Sequence, residues 1–203
     1  MGKTIETPIT SLDQLDPNGT YTYADYVTWK FEETVELIKG KIFRMAAPRR
    51  KHQAVSREIC NIVYRYFEDK TCEFYAAPFD VRLYDTRKSV KANRPIYSVI
   101  QPDVCVVCDL NKLDDKGCIG APDLIVEILS PGNSKKEMVN KHNLYEENGV
   151  REYWIISPDS ELLTQFILQK NGKYGSPRYF FSDDLMPSAI FPDLIIDLSK
   201  VLL

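Results

Sequence analysis

Two acidic residues lie in apolar runs of the sequence, where a charged side chain is costly to bury. Asp103 begins the run DVCVV, and Glu127 stands in the middle of LIVEIL. An ion that leaves water loses several kcal/mol even after the protein relaxes, so a buried carboxylate needs a cation. A surface turn would explain Asp103 on its own. Together, the two acids indicate a site for a positively charged group.

The two carboxylates could share one metal ion if their strands are neighbours. Adjacent strands lie about 4.8 Å apart, which would bring Asp103 and Glu127 over one cation. Asp123 is excluded as a direct co-ligand of Glu127, because four residues of strand span roughly 13 Å, whereas Mg²⁺ ligands lie within about 2.1 Å of the ion. Carboxylate oxygens favour Mg²⁺ or Mn²⁺ over zinc.

A phosphodiester hydrolase also needs a group that positions water and offsets charge on the pentavalent phosphate, and a lysine can do both. The place two residues after Glu127 would suit a lysine, but Leu129 occupies it. Lys141 lies on a helical stripe with Glu137, Leu144, Tyr145 and Asn148. This stripe predicts that Lys141 points inward toward the carboxylates. The alternative is an exposed ion pair between Glu137 and Lys141.

Two further residues are candidates for accessory roles. His52 stands three residues before Val55 near the start of a long apolar stripe, where the helix dipole favours the neutral imidazole. It suits either a proton-handling role or a structural role. Glu36 alternates with Val35 and Leu37, so it faces solvent if those two side chains point to the core.

Length and composition predict one globular domain over residues 1–203, with residues 1–20 as an N-terminal extension. Apolar residues make up 44% and charged residues 27%, which argues against a disordered chain. The five cysteines are expected to be free thiols in a reducing compartment. Cys105 and Cys108 would point to opposite faces of a strand, so core packing is favoured over half a metal site.

The charge and apolar patterns limit the partners of the protein. No apolar run reaches the ~20 residues of a membrane helix, and MGKTIETPIT lacks the apolar stretch of a signal peptide, so we expect a cytoplasmic protein without membrane contact. A net charge of −3 argues against coating nucleic acid through a global positive field. Two local basic patches would serve as nucleic-acid contacts or as solvated surfaces: Arg49, Arg50 and Lys51, and Arg82, Arg87, Lys88, Lys91 and Arg94.

Periodicity predicts the elements that must position these residues. The helices are expected at 22–30, from Arg49 to about Asp69, and from about Ser134 to Asn148, where Gly149 ends the last one. The strands are expected as two in 34–46 turning at Gly40, then EFYAAP, FDVRLY, the segment 97–109 interrupted at Pro102, and the central runs PDLIVEILS and EYWIIS. Asn171 and Gly172 predict a hairpin, and residues 190–203 predict a short strand and a frayed turn.

From about Tyr21 onward, five stretches resemble, in order, the bacterial restriction endonuclease family called Uma, of the PD-(D/E)XK nuclease superfamily. They are VELIKGKIFRMAAPRRKH, FDVRL, QPDVCVV, APDLIVEILSPGNSKKEMVNKHNLYEENGVREYWIISP and FPDLIIDL. The resemblance implies an α/β, restriction-endonuclease-like fold, with a mixed β-sheet flanked by helices, to which the sequence adds β-hairpins.

The resemblance also implies DNA cleavage with Mg²⁺, or alternatively Mn²⁺. It implies Asp103 and Glu127 as metal ligands, a catalytic lysine that has migrated to Lys141, and Glu36 and His52 as accessory site residues. Two positions depart from the family pattern. Lys41 stands where an acidic residue is usual and would change the charge near the site. Glu137 stands where aspartate is usual and would lengthen a side chain that orients Lys141.

Three functional hypotheses follow. The first is a Mg²⁺-dependent endodeoxyribonuclease that acts, by analogy with restriction enzymes, as a homodimer. The second is a catalytically weak or inactive nucleic-acid-binding or interaction protein on the same fold. The third is a metal-dependent hydrolase of small phosphate esters.

Overall fold

The computed structural model describes residues 8–45, 47–84, 95–131 and 135–202. Within these ranges the α-helices are α1 (Tyr23–Tyr26), α2 (Arg50–Phe67) and α3 (Lys135–Asn148). The strands are β1 (Val35–Ile38), β2 (Lys41–Arg44), β3 (Glu73–Ala76), β4 (Val81–Leu83), β5 (Ser98–Ile100), β6 (Val104–Val107), β7 (Leu113–Asp114), β8 (Gly117–Ile119), β9 (Leu124–Ile128), β10 (Glu152–Ser157), β11 (Leu162–Ile167), β12 (Arg178–Phe181), β13 (Leu185–Pro187) and β14 (Ile195–Asp197). Short 3₁₀ turns occupy Leu12–Gln14, Leu110–Lys112 and Leu198–Lys200.

The strands form two mixed six-stranded sheets and one hairpin. The first sheet has the order β2-β1-β5-β4-β8-β7, and the second has the order β12-β11-β10-β9-β6-β3. Strands β13 and β14 pair separately. Parallel pairs join β4 to β8 and β9 to β10, and the remaining pairs are antiparallel. This architecture confirms the predicted α/β fold with a mixed sheet, flanking helices and additional hairpins.

The second sheet is covered by a helix on each face. On one face, Val55, Ile59 and Val63 of α2 pack with Leu124 and Val126 of β9. On the other face, Leu144 and Tyr145 of α3 pack with Ile125 and Tyr153. Because both faces of β9 and β10 are buried, their sequences are nearly continuous apolar runs. The strand-helix-strand unit β9-α3-β10 was predicted and is confirmed.

The extended segment 97–109 forms two strands in different sheets. β5 belongs to the first sheet and β6 to the second, and residues 101–103 between them are unpaired. The predicted interruption at Pro102 is therefore confirmed, and it marks the passage of the chain from one sheet to the other. Asp103 lies at this junction.

Several elements differ from the predictions. The helix expected over 22–30 covers only Tyr23–Tyr26, because Thr22 caps it and the chain then turns to bury Trp29. The strands β7, β8 and β13 were not predicted. The hairpin at Asn171–Gly172 is confirmed by the antiparallel pairing of β11 with β12. The expected C-terminal fraying is wrong, since Leu198, Val201 and Leu202 are buried in the core.

The expectation that all five cysteines are free is also wrong. Cys72 and Cys108 form a disulfide, while the described free thiols belong to Cys60, Cys105 and Cys118. Strand pairing explains this bond: Glu73 lies opposite Val107, so the next residues outward, Cys72 and Cys108, face each other. Cys105 packs on the α3 face and Cys108 against the α2 cluster, which confirms the predicted opposite faces.

Of the second predicted basic patch, only Arg82 belongs to the part of the chain that the structure describes. Arg82 is buried and pairs with Asp114. Arg87, Lys88, Lys91 and Arg94 lie outside the described residues.

No described helix is long and apolar enough to cross a membrane. Within the predicted N-terminal extension, Ile9, Leu12 and Leu15 pack against a third cluster that contains Trp29 and Val35. The single-domain assignment stays a prediction.

Candidate active site

A cavity of about 660 Å³ lies where the two sheets meet, and all five candidate site residues line it. These residues are Glu36, His52, Asp103, Glu127 and Lys141. They come from β1, α2, the β5–β6 junction, β9 and α3. The cavity wall also includes Gln101, Ser130 and Glu137.

The register between β6 and β9 brings the two carboxylates together. Val104 lies opposite Val126, so Asp103 and Glu127 occupy the next facing positions. The backbone N–H of Ile128 donates a hydrogen bond to Asp103 Oδ2 at 2.7 Å, which fixes this carboxylate at the end of the strand pair. Asp103 and Glu127 therefore lie on neighbouring strands, as predicted.

Lys141 lies between two carboxylates of different sheets. Its Nζ is 3.0 Å from Glu36 Oε2 and 3.1 Å from Glu127 Oε1, and the residue is only 7% exposed. Helix α3 presents Lys141 on the same face as the core residues Leu144 and Tyr145. The predicted inward orientation of Lys141 is confirmed, and the alternative of an exposed ion pair with Glu137 is wrong.

Glu36 does not face solvent as the alternation in its strand suggested. It is 1% exposed, and its Oε1 accepts a hydrogen bond from the backbone N–H of Gln101 at 2.9 Å. All four residues of β1 are buried, because Val35 and Leu37 contact the third cluster while Glu36 faces the cavity. The solvent-facing interpretation failed because this short strand is covered on both faces.

Burial and the neighbouring charges control the protonation of Glu127 and Lys141. Burial raises the pKa of Glu127 to about 7, although the ammonium of Lys141 opposes this effect. Burial alone would lower the pKa of Lys141, but the negative charges of Glu127 and Glu36 outweigh it and raise this pKa above its ordinary value. Lys141 is therefore a permanent cation within the site.

His52 pairs with Asp103, and this contact opposes the predicted preference for the neutral imidazole. His52 Nε2 lies 3.2 Å from Asp103 Oδ1. Burial would lower the pKa of His52, but the hydrogen bond and the negative charge of Asp103 outweigh it and raise the pKa above 6.5. The helix dipole favours the neutral imidazole, as predicted, but the carboxylate of Asp103, from a distant part of the chain, favours the protonated form.

Two residues that contact the acids were missed in the sequence. The hydroxyl of Tyr145 donates a hydrogen bond to Glu127 Oε1, and burial raises the pKa of Tyr145 well above its ordinary value. Tyr145 lies one helical turn after Lys141, and this spacing was the available signal, but it was interpreted as core packing. Gln101 contacts Glu36 through its backbone, which no local pattern indicates.

The two positions that depart from the family pattern have different surroundings. Glu137 lines the cavity, as expected for a residue near Lys141. Lys41 instead donates hydrogen bonds to the backbone oxygens of Asn18 and Gly19, each at 2.6 Å. The expected change of charge near the site is wrong, because the ammonium of Lys41 is held by the N-terminal segment. Asp123 accepts a hydrogen bond from the backbone N–H of Cys108 and forms an ion pair with Arg151, so its carboxylate is engaged by groups other than a metal ion.

Comparisons with known proteins identify the family and the fold of this chain. Residues 23–199 match the Uma2 family, whose description is "Putative restriction endonuclease". An uncharacterised protein of Synechocystis sp. is 23% identical over 176 residues, which cover 85% of this chain and 87% of that protein. A crystal structure from Anabaena variabilis, described as a "putative nuclease belonging to DUF820", has a TM-score of 0.70 at 20% identity and covers 90% of this chain and 97% of its own. This likeness shows the fold, and the family match shows that the chain belongs to the Uma2 family.

Proposed function

We propose that the protein is a Mg²⁺-dependent endonuclease that hydrolyses phosphodiester bonds in DNA, with Mn²⁺ as an alternative ion. The observation that carries this proposal is the position of Lys141. Its ammonium contacts Glu36 and Glu127 inside the cavity that Asp103 and His52 also line. Membership of a family described as restriction endonucleases supports the choice of nucleic acid as substrate.

The donor atoms fit a hard divalent cation. Asp103 and Glu127 supply carboxylate oxygens from facing positions on adjacent strands. Among the described residues, no group of three or more His, Cys, Asp or Glu side chains could hold a metal by itself. Mg²⁺ sites commonly use one or two carboxylates, and water and substrate phosphate complete the coordination. When bound, such an ion lowers the pKa of water and offsets charge on phosphoryl oxygens.

Lys141 acts as a fixed positive charge in this proposal. A lysine whose pKa is raised does not accept a proton near neutral pH, so it is excluded as a general base. Its ammonium instead offsets the charge that develops on the pentavalent phosphate and aligns the attacking water. The contacts to Glu36 and Glu127 hold the ammonium in place before substrate binds.

His52 fixes the orientation of Asp103. Oδ2 of Asp103 accepts from the backbone of Ile128, and Oδ1 faces His52 Nε2, so both oxygens have defined partners. His52 Nε2 also lies close enough to Asp103 Oδ1 for a proton to pass between the two groups. We assign His52 a positioning and proton-handling role, and Glu36 the role of holding Lys141.

The first basic patch supports DNA as the substrate. Arg49 and Arg50 are exposed at the start of α2, three and two residues before His52, and Lys51 is half-buried beside them. Cations near a helix N-terminus next to the cavity would contact phosphates that flank the scissile bond. We further propose a single-domain cytoplasmic protein that acts as a homodimer, by analogy with restriction enzymes, which often use two active sites to cut the two strands of a duplex.

The test is the nicking of supercoiled plasmid with Mg²⁺ or Mn²⁺. Wild type is compared with Asp103→Ala and Lys141→Ala, and with Lys136→Ala as a control, because Lys136 is an exposed lysine of the same helix. We expect wild type and Lys136→Ala to cut and the other two variants to lose activity. Cutting that persists in Asp103→Ala would contradict the assignment of the site. Calorimetry that finds undiminished Mn²⁺ binding by Glu127→Ala would contradict the metal ligands.

A second candidate function is nucleic-acid binding without turnover. Leu129 stands where a lysine would complete the motif, and Lys141 forms an ion pair with Glu127, a proposed metal ligand. Both observations favour a site that binds metal weakly. DNA binding that is equal with and without Mg²⁺, together with no cutting under any divalent ion, would select this candidate over the nuclease.

A further inference from the structure

A second cavity, of about 680 Å³, adjoins the candidate active site and has no role in the mechanism described above. It shares Glu33 and Thr34 with the active-site cavity. Its wall contains four aromatic side chains, Tyr23, Tyr26, Trp29 and Phe31. We call it the aromatic cavity. Its volume lies in the range of sites that bind small organic groups.

The aromatic rings form near-parallel pairs. The rings of Tyr23 and Tyr26 are 6.0 Å apart at 23°, and those of Trp29 and Phe31 are 5.1 Å apart at 29°. Tyr26 and Trp29 connect the two pairs with an edge contact at 5.9 Å. Flat rings on the wall of an open cavity favour a planar ligand, because offset stacking is the preferred contact between aromatic systems.

The carboxylates of the cavity wall favour a base that carries an amino group. Asp80 and Glu33 contribute carboxylates to the wall, and Lys116 contributes one ammonium. Two carboxylates repel a phosphate, but they accept hydrogen bonds from exocyclic amino groups. The matching ligand is therefore a planar ring that carries an amino group, as adenine, guanine and cytosine do.

Direct hydrogen bonds connect this cavity to the active site through Gln101. The Nε2 atom of Gln101 donates to Asp80 Oδ1 at 2.8 Å, and its backbone N–H donates to Glu36 Oε1 at 2.9 Å. A group in the aromatic cavity would thus lie beside the residues that hold Lys141.

We propose that the aromatic cavity binds a nucleobase of the same nucleic-acid strand whose phosphodiester lies in the active site. This inference rests on the proposed nuclease function and names its substrate more closely. A base cannot stack on these rings while it is paired within a duplex. The preferred substrate therefore has an unpaired base next to the scissile phosphate, as single strands, ends and distorted sites do.

Tryptophan fluorescence tests the base site without any cleavage. The chain has two tryptophans: Trp154 is 0% exposed, and Trp29, which is 8% exposed, lines the cavity. The probes are deoxyadenosine monophosphate and deoxyribose phosphate, which differ only in the base. We expect saturable quenching by the nucleotide alone, and loss of this signal in Trp29→Phe. Equal responses to both probes in wild type would overturn the proposal.

Two variants and a second nucleotide locate the contacts. We expect Tyr26→Ala to bind deoxyadenosine monophosphate about tenfold more weakly, which is the usual order for a lost stacking partner. Tyr179→Ala should bind as wild type does, because Tyr179 is an exposed aromatic residue on β12 outside the cavity. Thymidine monophosphate, which has no exocyclic amino group, should bind more weakly than the adenine nucleotide. Equal affinity for the two would overturn the role of Asp80 and Glu33.

Plasmid nicking separates failure of this inference from failure of the proposed function. Nicking without base-dependent quenching would overturn the base site and leave the nuclease intact. Base-dependent quenching without nicking under any divalent ion would overturn the nuclease and leave the base site as a nucleotide-binding site.

Discussion

Removal of the Lys141 ammonium would leave two buried carboxylates without their cation. Glu36 and Glu127 are 1% and 8% exposed, and both contact Lys141 Nζ. Removing one partner of a buried ion pair costs about 3–5 kcal/mol. For a chain of this size, 1 kcal/mol changes Tm by about 2–4 °C. We therefore expect Lys141→Ala to lower Tm by about 6–20 °C at about pH 8 in metal-free buffer.

This loss of stability should depend on pH. In wild type, burial raises the pKa of Glu127 from 4.5 to about 7, a difference worth about 3 kcal/mol of folding free energy. A raised pKa in the folded state gives stability that is fully present below the unfolded pKa and is lost as pH rises through the folded pKa. Without Lys141, the pKa of Glu127 rises further, so the variant continues to lose folding stability up to a higher pH than wild type does. The difference between variant and wild type should shrink toward about pH 5.

The assay is thermal denaturation followed by circular dichroism, with EDTA present, at about pH 5 and about pH 8. Lys136→Ala is the matched control, because it removes an exposed lysine of the same helix and should leave Tm unchanged. If Lys141→Ala and Lys136→Ala have the same Tm at both pH values, Lys141 does not compensate the buried carboxylates, and the electrostatic account of the site is refuted.

Three further predictions concern neighbouring parts of the fold. Tyr145→Phe removes a hydroxyl that donates to Glu127 and should cost about 1–3 kcal/mol of unfolding free energy in urea titrations. Glu152 accepts hydrogen bonds from two side chains of the sheet and from three groups at residues 188–190, so Glu152→Gln should cost about 2–4 kcal/mol by the same assay. The disulfide of Cys72 and Cys108 closes 36 residues of sequence, so its reduction should cost about 4 kcal/mol. Thiol titration of the unfolded chain should find three of the five cysteines before reduction and all five afterwards.

The sequence was sufficient to predict the parts of the site that depend on regular elements. Asp103 and Glu127 were conspicuous because each interrupts an apolar run, and their strands are neighbours as expected. Helical spacing predicted the inward orientation of Lys141, since a helix that packs on a sheet must turn its apolar face inward. These inferences succeeded because periodicity within one element determines which side chains share a face.

The remaining contacts depend on how distant segments pair, which local patterns do not encode. Glu36 was assigned to solvent by alternation, but β1 lies between the third cluster and the cavity, so both of its faces are covered. Cys72 and Cys108 are bonded because of the register between β3 and β6. In each case the two partners are separated by many residues in the sequence. A shift of the strand register by one residue would have removed the contact.

The charge balance of the cavity links these long-range contacts to the proposed chemistry. Among the described residues that line the cavity, Glu36, Asp103 and Glu127 surround Lys141 and His52, and Glu33, Glu137 and Arg44 add two carboxylates and one guanidinium. The five carboxyl groups outnumber these three basic groups even when His52 is counted as a cation. Burial reduces this excess by raising the pKa of Glu127 to about 7, which favours the protonated carboxyl near and below neutral pH. A divalent cation would resolve the same excess, and metal binding at carboxylates is generally coupled to proton release. Protonation of Glu127 and binding of the proposed ion would therefore compete, because each reduces the same excess of negative charge.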